Sequence, residues 1–124
     1  MKSIKTIAEI QLKRAYEKPG SSDGCRILID RIWPRGVSKE ELKIDEWLKD
    51  IAPSTSLRKW FGHEPDKWNE FKKRYFEELK HNKELTNRII EKMHQDEVTF
   101  VYSAKDREHN NAVALKEYIE KQIK

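Results

Sequence analysis

Cysteine is nearly missing from this chain: Cys25 is the only one among 124 residues. A single thiol can form neither an internal disulfide nor a zinc site built from several thiolates. Cys25 follows Gly24 at the start of an apolar segment, where a cysteine commonly packs as a small buried hydrophobe. We therefore expect a structural cysteine rather than a nucleophile.

Long apolar runs are also absent. No stretch approaches the roughly 18 residues that a membrane-spanning helix needs, and the first residues do not resemble a secretory signal peptide. These absences predict a cytoplasmic protein with no membrane partner. The sequence contains no glycine-rich phosphate loop, dinucleotide fingerprint, metal-spaced histidine pair or Gly-x-Ser-x-Gly elbow. We therefore expect neither a metal nor a common cofactor.

The charge is high but balanced. Charged residues make up 39% of the chain, and 26 basic against 22 acidic residues leave a formal net charge of +4. The two signs are mixed and no basic tail is present, so charge alone does not select a nucleic-acid binder. A content of 10% aromatic residues argues against disorder. The length predicts one domain, residues 1–124, and the sequence gives no indication of oligomeric state.

Apolar patterning predicts the strands. Residues 26–32 and 98–102 are short runs of β-branched and aliphatic residues, which are typical of strands buried on both faces. Residues 7–16 alternate between apolar and polar, which indicates a half-buried strand near an edge. For residues 44–51 we favour a short strand over a helix. We expect the 26–32 and 98–102 strands to be parallel neighbours at the centre of a sheet.

The segments between the expected strands carry sequence patterns that are typical of helices. Ser38 and Glu41 fit a capping box, residues 54–61 form a short helix ended by Gly62, and Pro65 suits a first helical position. Three longer apolar stripes follow, with Asn82 expected to cap the second: Trp68, Phe71, Tyr75 and Leu79; Leu85, Ile89 and Met93; Ala112, Leu115, Ile119 and Ile123. The order predicts a single compact α/β domain, a small mostly parallel sheet with helices on both faces in a Rossmann-like three-layer arrangement.

The segment Asp30-Arg31-Ile32-Trp33-Pro34-Arg35-Gly36 lies at the carboxyl end of a buried strand, and ligands of open α/β sheets bind at that end. Arg31 and Arg35 offer planar forks for carboxylate or phosphate, and Trp33 offers a flat wall. The alternative is that Arg31 pairs with a carboxylate and Trp33 closes the core.

The second candidate segment runs from Tyr102 to Asn110, again from the end of a strand into a helix. The first N–H groups of a helix attract anions, Lys105 adds charge, and His109 titrates near neutral pH. Tyr102 and Ser103 are further catalytic candidates, and Asn110 is a further ligand-binding candidate. Asp106 can cap the helix itself and compete with a ligand for its N–H groups.

The third candidate segment carries Arg58, Trp60 and His63 within six residues. A packing elbow, with Trp60 in the core and Arg58 solvated, is the alternative. Asp45 is the remaining candidate: near Arg31 it would serve either as an ion-pair partner, which we favour, or as a general base.

The motif Arg31-Ile32-Trp33-Pro34-Arg35-Gly36, together with Asp45-Glu46-Trp47, residues 52–61 and Tyr102-Ser103-Ala104-Lys105, resembles the YeaO-like branch of the family called domain of unknown function 488. The resemblance spans residues 10–119. It implies a compact α/β domain and no settled activity. The positions that match the family pattern are Arg31, Trp33, Pro34, Arg35, Gly36, Asp45, Trp47, Arg58, Tyr102, Ser103, Lys105, His109 and Asn110.

Two labels attached to the wider family do not fit this chain. Some members are described as MarR-type regulators, which resemble winged-helix dimers, whereas the best strands here are buried and separated by helices. Other branches resemble cysteine enzymes with a thiol near the last strand, where this chain has Ser103.

We expect a site for a small anionic ligand, such as a nucleotide, a nucleobase derivative or a phosphorylated metabolite, with or without catalysis. Arg31, Arg35, Arg58 and Lys105 would bind the anion. The other expected roles are a stacking wall from Trp33 or Trp60 and proton transfer by Asp45 or His109. The alternatives are a nucleic-acid-binding module that uses basic and aromatic residues, and a partner-binding protein with exposed tryptophans.

Overall fold

The computed structural model of the chain describes residues 9–123. Within that range, one sheet has the strand order β1-β4-β2-β3, and each neighbouring pair is parallel. The expected central pair is confirmed, because β4 and β2 are adjacent and each has another strand on its far side. The strands are β1 (Gln11–Arg14), β2 (Cys25–Leu28), β3 (Glu46–Trp47) and β4 (Val98–Tyr102).

Helices cover the two faces of the sheet unequally. On one face, four helices pack over a large cluster that includes Ile27 and Phe100, and on the other a single short helix packs over Leu28 and Val101. The expected α/β class is therefore confirmed. The helices are α1 (Lys39–Leu42), which covers the second face, and α2 (Thr55–Phe61), α3 (Trp68–Lys80), α4 (Lys83–Gln95) and α5 (Asn111–Gln122), which cover the first.

Local sequence signals account for several element ends. The Ser38 hydroxyl accepts the N–H of Glu41, and the Glu41 carboxylate accepts the N–H of Ser38, so the expected capping box begins α1. Gly62 has φ +55° and ends α2. Gly24, with φ +65°, precedes β2 where a Cβ would collide with the Glu97 carbonyl oxygen, so only glycine fits there.

The expected strands are longer than the observed ones. In the 7–16 segment, residues 7 and 8 lie outside the described residues, and Tyr16 is 51% exposed rather than buried. β2 ends at Leu28 because the backbone bends at Asp30, whose carboxylate accepts the N–H of Ser103 at 2.9 Å. The 44–51 segment is a two-residue strand followed by a 3-10 turn at Lys49–Ile51.

Asn82 stands at the cap position of α4 as expected, but its side chain does not cap the helix. The Asn82 amide instead donates to the Asp50 carbonyl oxygen at 3.2 Å. The residue therefore ties α4 to the turn after β3.

A buried ionic cluster lies on the side of the sheet that α1 covers. Asp23 is 3% and Arg26 4% exposed, and Arg26 Nη1 lies 2.6 Å from Asp23 Oδ2. Lys13 Nζ approaches the other oxygen of Asp23 at 3.0 Å. Arg26 Nη2 also donates to the Leu42 carbonyl oxygen at 2.6 Å, so the cluster joins β1, β2 and α1.

Candidate functional site

A cavity of about 840 Å³ opens at the edge of the sheet where β2 and β4 end. Because the strands are parallel, the loops that follow them meet at this edge. Eight of the twelve candidate residues line the cavity: Arg31, Trp33, Arg35, Arg58, His63, Ser103, Lys105 and Asn110.

Asp30 organises this edge of the sheet. Its Oδ2 accepts the N–H of Ser103 and its Oδ1 accepts the side-chain amide of Asn111, both at 2.9 Å. Its carbonyl oxygen accepts the indole N–H of Trp47 at 2.7 Å. One residue thus fixes the loop after β2 against the loop after β4 and the start of α5. Our candidates omitted Asp30, although its place directly after a buried strand was a usable signal.

Arg14 holds the loop after β4 from the other side. Its Nε donates to the Ala104 carbonyl oxygen at 2.8 Å, and its Nη2 donates to the Ser103 carbonyl oxygen at 3.1 Å. This role could not be predicted from the sequence, because about 90 residues separate Arg14 from its partners.

Three polar atoms of the pocket residues have no partner. Among the residues described, the buried side-chain nitrogen and oxygen atoms without a hydrogen bond are Nε of Arg31, Nε of Arg58 and Oγ of Ser103. All three residues line the cavity. Leaving a buried donor unpaired costs about 1–3 kcal/mol. The three atoms are shielded from solvent, so an acceptor reaches them only if these side chains turn toward it.

The remaining groups of the two arginines are weakly held. Arg31 Nη2 donates to the Ala52 carbonyl oxygen at 3.3 Å, and its Nη1 lies 3.7 Å from a carboxylate oxygen of the exposed Asp50. Arg58 Nη2 reaches the hydroxyl of Thr55 at 3.5 Å. Bonds this long leave both guanidinium groups available for a stronger acceptor.

The cavity is predominantly basic. Arg35, Lys59 and Lys105 are exposed and add their charges to those of Arg31 and Arg58. Asp30 and Asp106 are the acidic residues of its lining. Five basic side chains against two carboxylates leave the lining with a net positive charge.

Trp33 forms a fixed part of the wall. Its indole N–H donates to the Val37 carbonyl oxygen at 2.6 Å, and its ring meets Trp47 edge-on at a centroid distance of 5.4 Å. The expected flat surface is therefore present beside Arg31.

The segment before α5 differs from the expectation. Asn110, and not Asp106, is the cap of α5, and its Oδ1 accepts the N–H of Val113 at 2.9 Å. Asp106 caps the preceding turn by accepting the N–H groups of Glu108 and His109. These bonds lower the pKa of Asp106 below its ordinary value. The protein itself therefore pairs the N–H groups of Glu108, His109 and Val113, some of those available near the helix start.

His109 does not line the cavity. Its Nδ1 lies 3.0 Å from Asp106 Oδ2, and its ring packs edge-on against Trp68 at 5.4 Å. His63 is the histidine at the cavity, where it is exposed.

Three other candidates also lie outside the lining. Asp45 accepts the backbone N–H of Arg26 at 2.8 Å, and the carboxylate that pairs with Arg31 is that of Asp50. Tyr102 is buried in the core, and burial raises the pKa of its phenol. The guanidinium of Arg74 lies over the ring of Trp60, 4.2 Å from the ring centroid.

Within residues 9–123, no three His, Cys, Asp or Glu side chains come together as metal ligands would. None of the helices in this range has the length and apolar character needed to span a bilayer.

The fold and the cavity define a small parallel α/β domain with a basic pocket at the carboxyl ends of its central strands. The chain belongs to the domain of unknown function 488 family: residues 9–124 match the model described as the inactive DUF488-N3 subclade. The resemblance seen in the sequence is confirmed.

The chain is 41% identical to the uncharacterized protein YeaO of Escherichia coli over 110 residues, which are 89% of this chain and 96% of that protein. It is 46% identical to the uncharacterized protein Rv3073c of Mycobacterium tuberculosis over 70 residues, which are 56% of this chain and 59% of that protein. The comparison with solved structures gives no match.

Proposed function

We propose that this chain binds a small anionic ligand in the pocket at the ends of β2 and β4, a nucleotide, a nucleobase derivative or a phosphorylated metabolite. The weakly held guanidinium groups of Arg31 and Arg58, at a cavity that five basic side chains line, carry this proposal. Such groups at one basic cavity are best satisfied by an acceptor that is anionic and bears several oxygens.

The proposal is for binding rather than catalysis. The catalytic candidates Asp45, His109 and Tyr102 lie outside the lining, and the matching family model is described as inactive. The Ser103 hydroxyl has no neighbouring base as a hydrogen-bond acceptor, which argues against its acting as a nucleophile. A catalytic role for Ser103 stays a prediction. A cytoplasmic location likewise stays a prediction.

A concave site favours a small ligand over a nucleic acid. A strand of nucleic acid needs basic residues spread along a stripe, whereas here the basic side chains of Arg31, Arg35, Arg58, Lys59 and Lys105 surround one cavity. A steep loss of affinity with rising salt would instead favour the nucleic-acid alternative.

The test begins with a thermal-shift screen of anionic metabolites. A true ligand at one hundred times its dissociation constant should add about 2.7 kcal/mol to the free energy of unfolding. Calorimetry then compares the wild type with Arg31→Ala. Removing this charged donor should weaken binding by about 1.5–3 kcal/mol.

Two further variants sharpen the result. Arg58→Lys keeps the charge but removes the planar fork, and it should also weaken binding. Arg88→Ala is the matched control, because Arg88 is an exposed arginine that pairs with Glu46 outside the cavity. If no anion binds at millimolar concentration and Arg31→Ala simply unfolds, Arg31 is a structural residue and the proposal is wrong.

A further inference from the structure

Exposed apolar side chains gather around the same cavity. In the described part of the chain, three large hydrophobic residues are exposed: Tyr16 at 51%, Ile32 at 66% and Trp47 at 36%. Tyr16 and Ile32 line the cavity, and Trp47 packs against Trp33, which also lines it. Single exposed apolar residues are ordinary, but their concentration at one concave site marks a binding surface.

Parts of this apolar wall are held in place by the protein. The hydroxyl of Tyr16 donates to the Arg35 carbonyl oxygen at 3.2 Å, and the guanidinium of Arg14 lies 5.0 Å from the Tyr16 ring centroid. Trp33 is fixed by its bond to Val37. A wall ordered before binding loses little conformational entropy when a flat group packs on it.

The size and charge of the cavity point to a ligand with two parts. Its volume of about 840 Å³ far exceeds what an inorganic anion fills and lies within the roughly 300–1,000 Å³ of pockets that hold organic ligands. Five basic residues face two acidic ones whose carboxylates are already hydrogen-bonded, an excess that suits a phosphate dianion better than a single carboxylate.

We infer that the ligand is a ring-bearing phosphate monoester of the size of a mononucleotide. Its phosphate lies against Arg31, Arg58 and Ser103, and its ring packs on the wall formed by Tyr16, Ile32 and Trp33. This inference rests on the proposed function and adds to it the apolar half of the ligand.

Four probes separate the two halves: adenosine 5′-monophosphate, ribose 5-phosphate, adenosine and benzoate. Stacking of one base contributes about 1–3 kcal/mol, so the mononucleotide should bind about fivefold or more tightly than ribose 5-phosphate. Adenosine should bind more weakly than either phosphate, because it lacks the anion. Benzoate, which carries a ring and a single negative charge, should be weaker than the mononucleotide.

The matched variants are Ile32→Ser and Ile123→Ser. Ile32 is largely exposed, so its replacement should leave the fold intact while lowering affinity for the mononucleotide about fivefold or more, with ribose 5-phosphate unaffected. Ile123, at the opposite end of α5 from the cavity, is partly buried against the core, so its replacement should lower stability but change neither affinity. Isothermal calorimetry at fixed salt measures all combinations.

Each failure has its own signature. Equal affinity for the mononucleotide and ribose 5-phosphate, or no effect of Ile32→Ser, overturns the inference and leaves the anion site standing. Tighter binding of benzoate makes the ligand an aromatic carboxylate and also overturns it. Binding of none of the four probes contradicts both this inference and the proposed function.

Discussion

Arg31 lines the cavity but makes only weak contacts with other residues. It is the first residue of the motif on which the family resemblance rests, and the structure places it in the pocket lining. Its 3.7 Å contact with the exposed Asp50 is a weak surface ion pair, and its Nε has no partner. Asp50 is thus an internal competitor for the guanidinium that an anionic ligand needs.

This competition predicts that Asp50→Asn tightens anion binding. A surface ion pair contributes at most about 1 kcal/mol, so the gain in affinity should reach at most about fivefold. Calorimetry with the ligand found in the screen measures the change.

The control for this prediction is Asp66→Asn. It makes the same change in net charge at an exposed position outside the cavity lining. An equal gain from both variants would mean that only overall charge matters and that Asp50 does not restrain Arg31.

At the scale of elements, the loop between β4 and α5 is built by capping bonds. The Asp106 carboxylate accepts hydrogen bonds from N–H groups of the turn, and the Asn110 side-chain oxygen accepts the N–H of Val113. The Asn110 side-chain amide donates to the Asp106 carbonyl oxygen at 2.8 Å. The helix start therefore has fewer free donors for an anion, because the N–H groups of Val113 and Ala114 are both paired with Asn110. The ligand contacts that we propose therefore come from side chains, not from the helix dipole.

We predict that Asn110→Ala destabilises the protein by about 1 kcal/mol, the usual cost of losing a helix cap. Urea denaturation at neutral pH measures the free energy of unfolding. Asn110→Ser keeps a capping oxygen and should recover most of the loss. If serine is as destabilising as alanine, the bond to the Asp106 carbonyl is what matters at this position.

For the whole molecule, the two sides of the sheet differ in how they are stabilised. The side under α2–α5 is a conventional apolar core, whereas the side under α1 buries the ionic cluster of Asp23, Arg26 and Lys13. Burial raises the pKa of Asp23, but hydrogen bonds from the Gly20 N–H, Lys13 and Arg26 outweigh it, so the pKa lies below its ordinary value of 3.8.

A carboxyl group whose pKa is depressed by folding stabilises the protein at pH values above the unfolded pKa. That stabilisation is lost as pH falls from the ordinary value of 3.8 toward the lower pKa of the folded state. We predict that Asp23→Asn lowers the free energy of unfolding at pH 7 by about 3 kcal/mol, because it leaves Arg26 buried without its counter-charge.

The measurement is a set of urea titrations from pH 7 to pH 3. The difference between wild type and Asp23→Asn should shrink toward the acid end. Glu70→Gln, which breaks an exposed pair with Arg74, should change stability little at any pH. A constant difference across this range would mean that Asp23 acts through shape rather than charge.

Much of the fold could be predicted from the sequence, because its signals are local. The apolar run of residues 98–102 specifies a buried strand, the Ser38 capping box begins α1, and Gly62 ends α2. The ends of the strands could not be predicted, because they depend on partners in other segments. β2 stops where the Asp30 carboxylate takes the N–H of Ser103, 73 residues away.

Part of the candidate site could likewise be predicted from the sequence, and part depends on contacts between distant segments. By itself, the sequence determined that basic and aromatic residues follow the two central strands, and parallel pairing then brings Arg31, Trp33 and Ser103 to one cavity. Only the tertiary structure decided which polar groups are left unpaired, since that depends on every contact around them. It assigned Asp45 to the backbone of Arg26 and left Arg58 without a partner at Nε, because hydrogen bonding is settled by distances across the fold and not by residue type.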